Sequence, residues 1–309
     1  MFRLIEISSV PSRLSLNGDC LEVTGVCNDQ LLERLPLNEL DAIILAQPAI
    51  SISAAVIAAC GKYRVVILCC IRASLPSAIV TPVFASRSHL NLLQKQISQS
   101  IPEKKRLWQA LIQCKITGQD TILQHWRKTG CLRNLALKVR SGDTGNLESR
   151  AAVIYWKSLA LFPSRKRDAN DANVFFNYAY AILYAVTARY ICAMGLEPHL
   201  GIQHSNPGNH FCLASDLMEP FRPAADECVL EVIKENQDIL ELNTKSRHSV
   251  CKRLYESTVI INGKPKKLLD AIRICVDSYR QAVLIPKKKL ALPEWNKFNE
   301  NQDSPIAED

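Results

Sequence analysis

The sequence predicts an α+β protein in which a β-rich N-terminal domain precedes a larger all-α C-terminal domain. Three observations carry this. Up to about residue 80, apolar residues alternate or stand in short blocks, the pattern of strands. Asn17-Gly18 joins two alternating runs, a strong hairpin signal. From Leu90 onward, apolar residues recur every three or four positions, which is helical period. A chain of 309 residues is also long enough to bury two cores.

Taken in order, FRLIEIS alternates and RLSLNGDCLEVTG gives the two arms of the hairpin. DAIILA reads as a buried strand, SISAAVIAAC as a helix, and RVVILCC as a further strand after the break at Gly61. The result is a strand–helix–strand element appended to a hairpin. Residues 1–80 therefore form the N-terminal domain and 81–89 a linker. Residues 90–290 form the helical domain, with LNLLQKQI, RLWQALIQC, TILQHWRK and LESRAAVIYWKSLALF as its clearest segments. Loops are expected at 140–146, 163–172, 196–209 and 262–266. The polar, acidic stretch 291–309 reads as a flexible tail.

Composition excludes several classes. Hydrophobic residues are 48% and charged residues 22%, ordinary for a globular protein. No apolar run reaches the roughly 18 residues of a membrane span, and MFRLIEISSV lacks a signal-peptide pattern, so a cytoplasmic location is expected. Twelve cysteines occur without any C-x-x-C pair, and several sit in apolar runs, which reads as reduced core thiols. The net charge of +8 is uneven: residues 1–80 carry −1, leaving +9 for the other 229. Such asymmetry points to a polyanionic partner for the second domain.

The chemistry gathers in GIQHSNPGNHFCLASDLMEPFRP, residues 201–223. His204 lies in a loop that Pro207 and Gly208 can reverse sharply. Asp216 and Glu219 are three apart, so a helix would put them on one face, at the edge of a buried side formed by Cys212, Leu213, Leu217 and Phe221. One imidazole and one or two carboxylates suit a hard divalent cation, Mg²⁺ or Mn²⁺. A loop followed by an amphipathic helix with solvated acids accounts for the same residues. A third ligand must come from elsewhere; Glu148 and Asp143, both near the start of a helix, are equal candidates, and an acid there is also favoured by the positive helix end.

Glu148 opening a helix, His204 in a glycine-rich loop and Glu219 in DLMEPFRP together resemble the catalytic pattern of the CRISPR adaptation integrase, the first of the universal CRISPR-associated proteins. DANDANVFFNYAYAILYAV resembles that family's asparagine–asparagine–tyrosine helix. The wording around His204 is most similar to the branch that accompanies single-protein RNA-guided effector nucleases. Glu219 stands where many relatives have aspartate, and Ala179 where glycine is frequent.

The resemblance implies a metal-dependent DNA integrase and endonuclease that joins prespacer 3′-hydroxyl ends into the repeat of a CRISPR array. It implies catalytic and metal-binding roles for Glu148, His204 and Glu219, with Mg²⁺ or Mn²⁺ as cofactor. Asp216 is an auxiliary residue orienting the ligands, and Asn173, Asn177, Tyr178 and Tyr180 help shape the cleft. The implied partners are prespacer and repeat DNA, a second copy in a homodimer, and a small ferredoxin-like adaptation protein in a heterohexamer. The effector nuclease is a further expected partner. Arg150, Lys157, Arg165, Lys166, Arg167 and Arg222 are candidates for the DNA backbone; Arg222 equally suits an i,i+4 pair with Asp226. His210 is expected to anchor the loop. Two rivals remain at this stage: a stand-alone Mg²⁺-dependent repair nuclease, and a non-catalytic basic scaffold.

Overall fold

The computed structural model describes residues 4–40, 42–69, 77–80, 88–159, 173–235 and 242–295. The expected linker at 81–89 falls largely outside these residues, as do Arg165, Lys166, Arg167 and most of 291–309. The chain divides into two compact units, residues 1–96 with 188–197, and residues 97–187 with 198–309.

The first unit is strand-rich. Strands β1 (Leu4–Ile7), β2 (Ser12–Asn17), β3 (Cys20–Gly25), β4 (Leu31–Pro36), β5 (Ala42–Leu45) and β6 (Ile50–Ile52) precede helix α1 (Ala54–Tyr63). Strands β7 (Val66–Cys69) and β8 (Ala78–Val80) follow. They make two four-stranded sheets, β1-β5-β7-β8 and β4-β3-β2-β6. The hairpin forms, with its turn one residue later than the Asn17-Gly18 signal implies. Asn17 pairs with Cys20, and Gly18-Asp19 is the loop. Gly18 has φ +59° while Asp19 does not lie in the left-handed region, the arrangement of a II′ turn with glycine first. The strand–helix–strand reading also holds: β5 and β7 run parallel in adjacent positions, with α1 between them in sequence. Ser53 caps α1 by accepting from Val56 N–H. Leu14, Leu21, Leu37, Ile43, Val56 and Ile67 close the core. Helix α2 (Ser88–Ile97) counts almost wholly with this unit, so the unit extends past the change in sequence texture near residue 80.

The second unit is built around α3 (Ile101–Arg127), 27 residues begun by a Ser100/Glu103 capping box and Pro102. The helices α4 (Arg133–Lys138), α5 (Leu147–Leu159), α6 (Asn173–Ala193), α7 (Cys212–Leu217), α8 (Arg222–Glu235), α9 (Thr244–Glu256) and α10 (Leu268–Leu284) follow. The last turns of α6, from residue 188, count with the first unit. Helix α3 packs on α4, α5, α7 and α8, so residues from distant segments meet along one rod. A hairpin of β9 (Thr258–Ile261) and β10 (Lys264–Lys267), turning at Asn262-Gly263, interrupts the helices. Close approach of α3 to α8 requires Gly118: a Cβ there would come within 2.7 Å of Pro223 and 2.6 Å of Trp295.

The described cysteines are all free. Burial pushes the Cys60 thiol up to about 11 and those of Cys114, Cys192 and Cys228 to about 12, so these behave as inert core groups. Among the described residues no helix is long and apolar enough to cross a membrane.

Candidate active site

Glu148 sits in the first turn of α5, where an acid can serve merely to cap the helix. The structure gives that task to Asp143. Its two carboxylate oxygens accept from Leu147 N–H and Glu148 N–H, each at 2.9 Å. Asp143 itself is held at φ +46°, a conformation aspartate tolerates better than most residues. Glu148 is thereby released from the helix end, and its side chain turns to Lys115.

His204 is held by Asp216, which is wholly buried. One oxygen of Asp216 accepts from Ile202 N–H at 2.6 Å and Gln203 N–H at 3.1 Å. The other accepts from His204 N–H at 3.2 Å and lies 2.6 Å from its Nδ1. One carboxylate thus organises three consecutive residues of the loop. Its pairing with Nδ1–H leaves the lone pair of a neutral ring on Nε2, the tautomer a metal ligand needs. The hydrogen bond to Asp216 raises the His204 pKa against the opposing effect of burial, and the charges of Asp216, Glu219 and Glu148 raise it further. Trp108 walls the imidazole edge-on, with ring centroids 5.8 Å apart.

Asp216 and Glu219 do not share one helix. Helix α7 ends at Leu217, and Glu219-Pro220-Phe221 forms a 3₁₀ turn before α8 begins. The acids are not at an edge either: Glu219 is 3% exposed. Burying a lone carboxylate is very costly, so this one has to be paired. It meets Lys115 Nζ at 2.6 Å through Oε2 and Arg222 Nη2 at 2.9 Å through Oε1. Burial alone would raise the Glu219 carboxyl, but Arg222 and then Lys115 outweigh it and hold it below its usual range.

Lys115 also contacts Glu148 Oε1 at 2.7 Å, so one ammonium bridges the two glutamates. Sequence reasoning missed it, although a signal was present: Lys115 occupies a buried position of α3, seven residues from Trp108 and beside Leu111, Ile112 and Ile116. A lysine on the apolar face of a helix needs acids to meet it. Three residues on this face of α3 address the site: Lys104 donates to the Gly201 carbonyl at 3.1 Å, Trp108 meets His204, and Lys115 meets the glutamates.

Among the described residues, no three His, Cys, Asp or Glu side chains stand close enough together to hold a metal ion as they are. Lys115 lies against both glutamates. The donors still suit a hard divalent cation: two carboxylates and an imidazole with its Nε2 lone pair free. Glu219 Oε2 is, moreover, buried against Lys115 Nζ at 2.6 Å.

Arg222 was a candidate partner of Asp226 and is paired with Glu219 instead, its guanidinium 4.6 Å from the Tyr180 ring centroid. Asp226 is occupied by tyrosines, accepting from Tyr155 at 3.0 Å and also from Tyr180. On α6, Asn173 is buried, whereas the Tyr178 hydroxyl lies 3.2 Å from Cys251 Sγ of α9. Arg150 and Lys157 are exposed on α5, seven residues apart. His210 packs edge-on against His199 at 5.7 Å, within the loop it was expected to anchor.

A strand-rich unit followed by a larger helical unit, with acids, an imidazole and cations gathered inside the latter, defines an α+β class with a buried polar centre. A model of the family described as CRISPR associated protein Cas1 matches residues 5–247. A relative from Neisseria meningitidis serogroup C (strain 8013), CRISPR-associated endonuclease Cas1, is 33% identical over 275 residues, 87% of this chain and 89% of its own. The chain belongs to the Cas1 family. Solved structures show the same fold at low identity. A casposase bound to integration product has a TM-score of 0.76 at 16% identity, covering 98% of this chain and 96% of its own. A chain of a Cas6-RT-Cas1–Cas2 complex has a TM-score of 0.70 at 18% identity, covering 91% of this chain and 35% of its own.

Proposed function

We propose that this protein is a metal-dependent DNA integrase and endonuclease of CRISPR adaptation. The observation that carries the reading is the meeting of Glu148 and Glu219 on a single cationic group, beside a histidine whose tautomer Asp216 fixes. Membership of the Cas1 family, with a relative named as an endonuclease, supports it. Glu148, Glu219 and His204 Nε2 would hold Mg²⁺ or Mn²⁺. Such an ion supplies Lewis-acid activation of a hydroxyl and neutralises charge on the phosphate.

The reaction is an exchange of phosphodiesters. The 3′-oxygen of a prespacer attacks a repeat phosphorus, one P–O bond forms, and the P–O bond to the repeat's own 3′-oxygen breaks. The proton lost by the attacking hydroxyl is balanced by the one the released oxygen takes up. Asp216 keeps the imidazole oriented, Trp108 excludes water from one edge, and Arg222 offers a guanidinium at the rim to a phosphate. The protein acts as a homodimer joined through its strand-rich unit, with a small ferredoxin-like Cas2-type partner in a heterohexamer.

The test is strand transfer of a 3′-hydroxyl oligonucleotide into supercoiled plasmid carrying the repeat, with Mg²⁺ or Mn²⁺. Glu148→Ala, His204→Ala and Glu219→Ala should each lower joining by about 100-fold or more. Joining that survives these changes overturns the site. Hydrolysis of branched DNA without any joining would favour a repair nuclease.

A further inference from the structure

Lys115 is absent from the ligand set, yet it touches both of that set's carboxylates. Its side chain is 9% exposed, Glu219's is 4% and Glu148's is 27%, so water screens these charges poorly. With Arg222 on the second oxygen of Glu219, these two acids and two bases sum to a formal charge of zero, and the adjoining pair of neutral His204 and Asp216 adds −1, so a divalent ion would bring the site to +1. A site built only to capture a divalent cation would keep its acids unpaired, because each neutralising base lowers the attraction for the ion.

From this we infer that Lys115 is a positioning residue that couples metal binding to DNA binding; the inference rests on the proposed metal site. In the free protein its ammonium holds Glu148 and Glu219 together and competes with the ion. Metal entering the site leaves an excess of positive charge, which penalises binding until a phosphodiester arrives to offset it. Each ligand therefore favours the other, and by linkage the factor is the same in both directions. Arg222 adds to this at the rim. Its Nε is a buried donor without a hydrogen-bond partner, free to meet an incoming phosphate oxygen. The physical consequence is that loose metal ions do not arm the site away from DNA.

The experiment measures Mn²⁺ affinity by electron paramagnetic resonance, with and without a short duplex whose 3′ ends are dideoxy so that no joining occurs. Wild-type protein should bind Mn²⁺ about 10-fold more tightly when the duplex is present. Lys115→Met should bind Mn²⁺ alone about 10-fold more tightly than wild type, and the duplex should then add little. Lys115→Arg, keeping the charge, should retain the wild-type coupling. In EDTA, Lys115→Met should melt at a lower temperature than wild type, with Mn²⁺ restoring the difference. If Lys115→Met does not fold in either condition, Arg222→Met makes the same charge change at a partly exposed position and should tighten Mn²⁺ binding likewise.

Equal or weaker Mn²⁺ affinity in the folded variants, with wild type still binding the ion, overturns the coupling while leaving the metal site standing. Failure of every protein to bind Mn²⁺, with or without duplex, overturns the metal site itself and the inference with it.

Discussion

Asp216 shows how one buried side chain can set a site without touching a reactant. Four donors converge on its two oxygens, three of them backbone N–H groups of residues 202–204. Removing the acceptor leaves buried donors unpaired, at about 1–3 kcal/mol for each group so stranded. Asp216→Ala should therefore lower unfolding free energy in urea by roughly 3 kcal/mol or more, and joining should fall with it. Gly201 is constrained by the same geometry: a Cβ would overlap the His204 carbonyl oxygen and come within 2.9 Å of Asp216 Oδ2. Gly201→Ala should disorder the loop and abolish joining while circular dichroism of the helices persists. The pH dependence follows from the raised His204 pKa, caused first by its hydrogen bond to Asp216. The cationic ring contributes stability at pH below the ordinary imidazole value, and that contribution is lost as pH rises through the raised one. Ligation needs the neutral ring, so metal affinity runs the other way and falls as pH drops through the raised value. Asp216→Asn removes the charge that favours the cation, so a titration of Mn²⁺ affinity should show its acid limb displaced to lower pH. The spacing of His204 and Asp216 in the sequence allowed this pair but could not assign it, since the loop between them is closed by Asn206 and Asn209 turns.

At the scale of elements, legibility tracked how local the determining interaction is. The hairpin of β2 and β3, the cap of α1 and the start of α3 depend on contacts within a few residues, and the sequence shows them. The turn's true position shows what local pattern leaves open. Asn17-Gly18 and Gly18-Asp19 are both acceptable two-residue loops, and moving from one to the other shifts the pairing by two residues, which keeps each side chain on its face and changes only its partner. The observed register sets Leu16 opposite Leu21 and Leu14 opposite Val23, where an Asn17-Gly18 loop would set Leu16 opposite Asp19. The break between α7 and α8 was invisible to a reading that kept Asp216 and Glu219 on one face. Pro220 is tolerated early in a helix as well as at a break, and only packing against α3 distinguishes the two. That packing gives a prediction. Because a Cβ on Gly118 would collide with Pro223 and Trp295, Gly118→Ala should separate α3 from α8 and cost about 1–3 kcal/mol in thermal unfolding. It should also reduce joining, since Lys115 and Glu219 ride on the two sides of that contact. In the other unit, β4 is a sheet edge with Leu31 51% and Leu32 44% exposed. Unpaired apolar edges self-associate. If the homodimer uses this edge, Leu32→Lys should yield monomers by light scattering with the melting temperature of the monomeric fold preserved; an unchanged dimer assigns the interface elsewhere.

Across the whole molecule, charge is spread unevenly along the chain. Residues 1–80 carry −1 and the remainder +9, so the surface that repels a polyanion least is also the one that contains the acids of the site. This asymmetry was readable from composition, because net charge needs no fold. Which cations face DNA was not readable, because a basic side chain in a sequence looks the same whether it is solvated, paired or buried. Lys115 and Arg222 prove to be committed to Glu219, whereas Arg150 and Lys157 stand exposed, on the helix that also carries Glu148. Exposed cations are the ones free to release counterions from a duplex. If about six phosphates are neutralised, the logarithm of the DNA association constant should fall against the logarithm of salt with a slope near −5. Arg150→Gln with Lys157→Gln should reduce the steepness by about 2 while Mn²⁺ binding to the free protein stays unchanged. A slope that does not change in the double variant would move the DNA path off α5. A slope near zero in the wild type would remove the polyanion as the reason for the positive charge of this half of the chain.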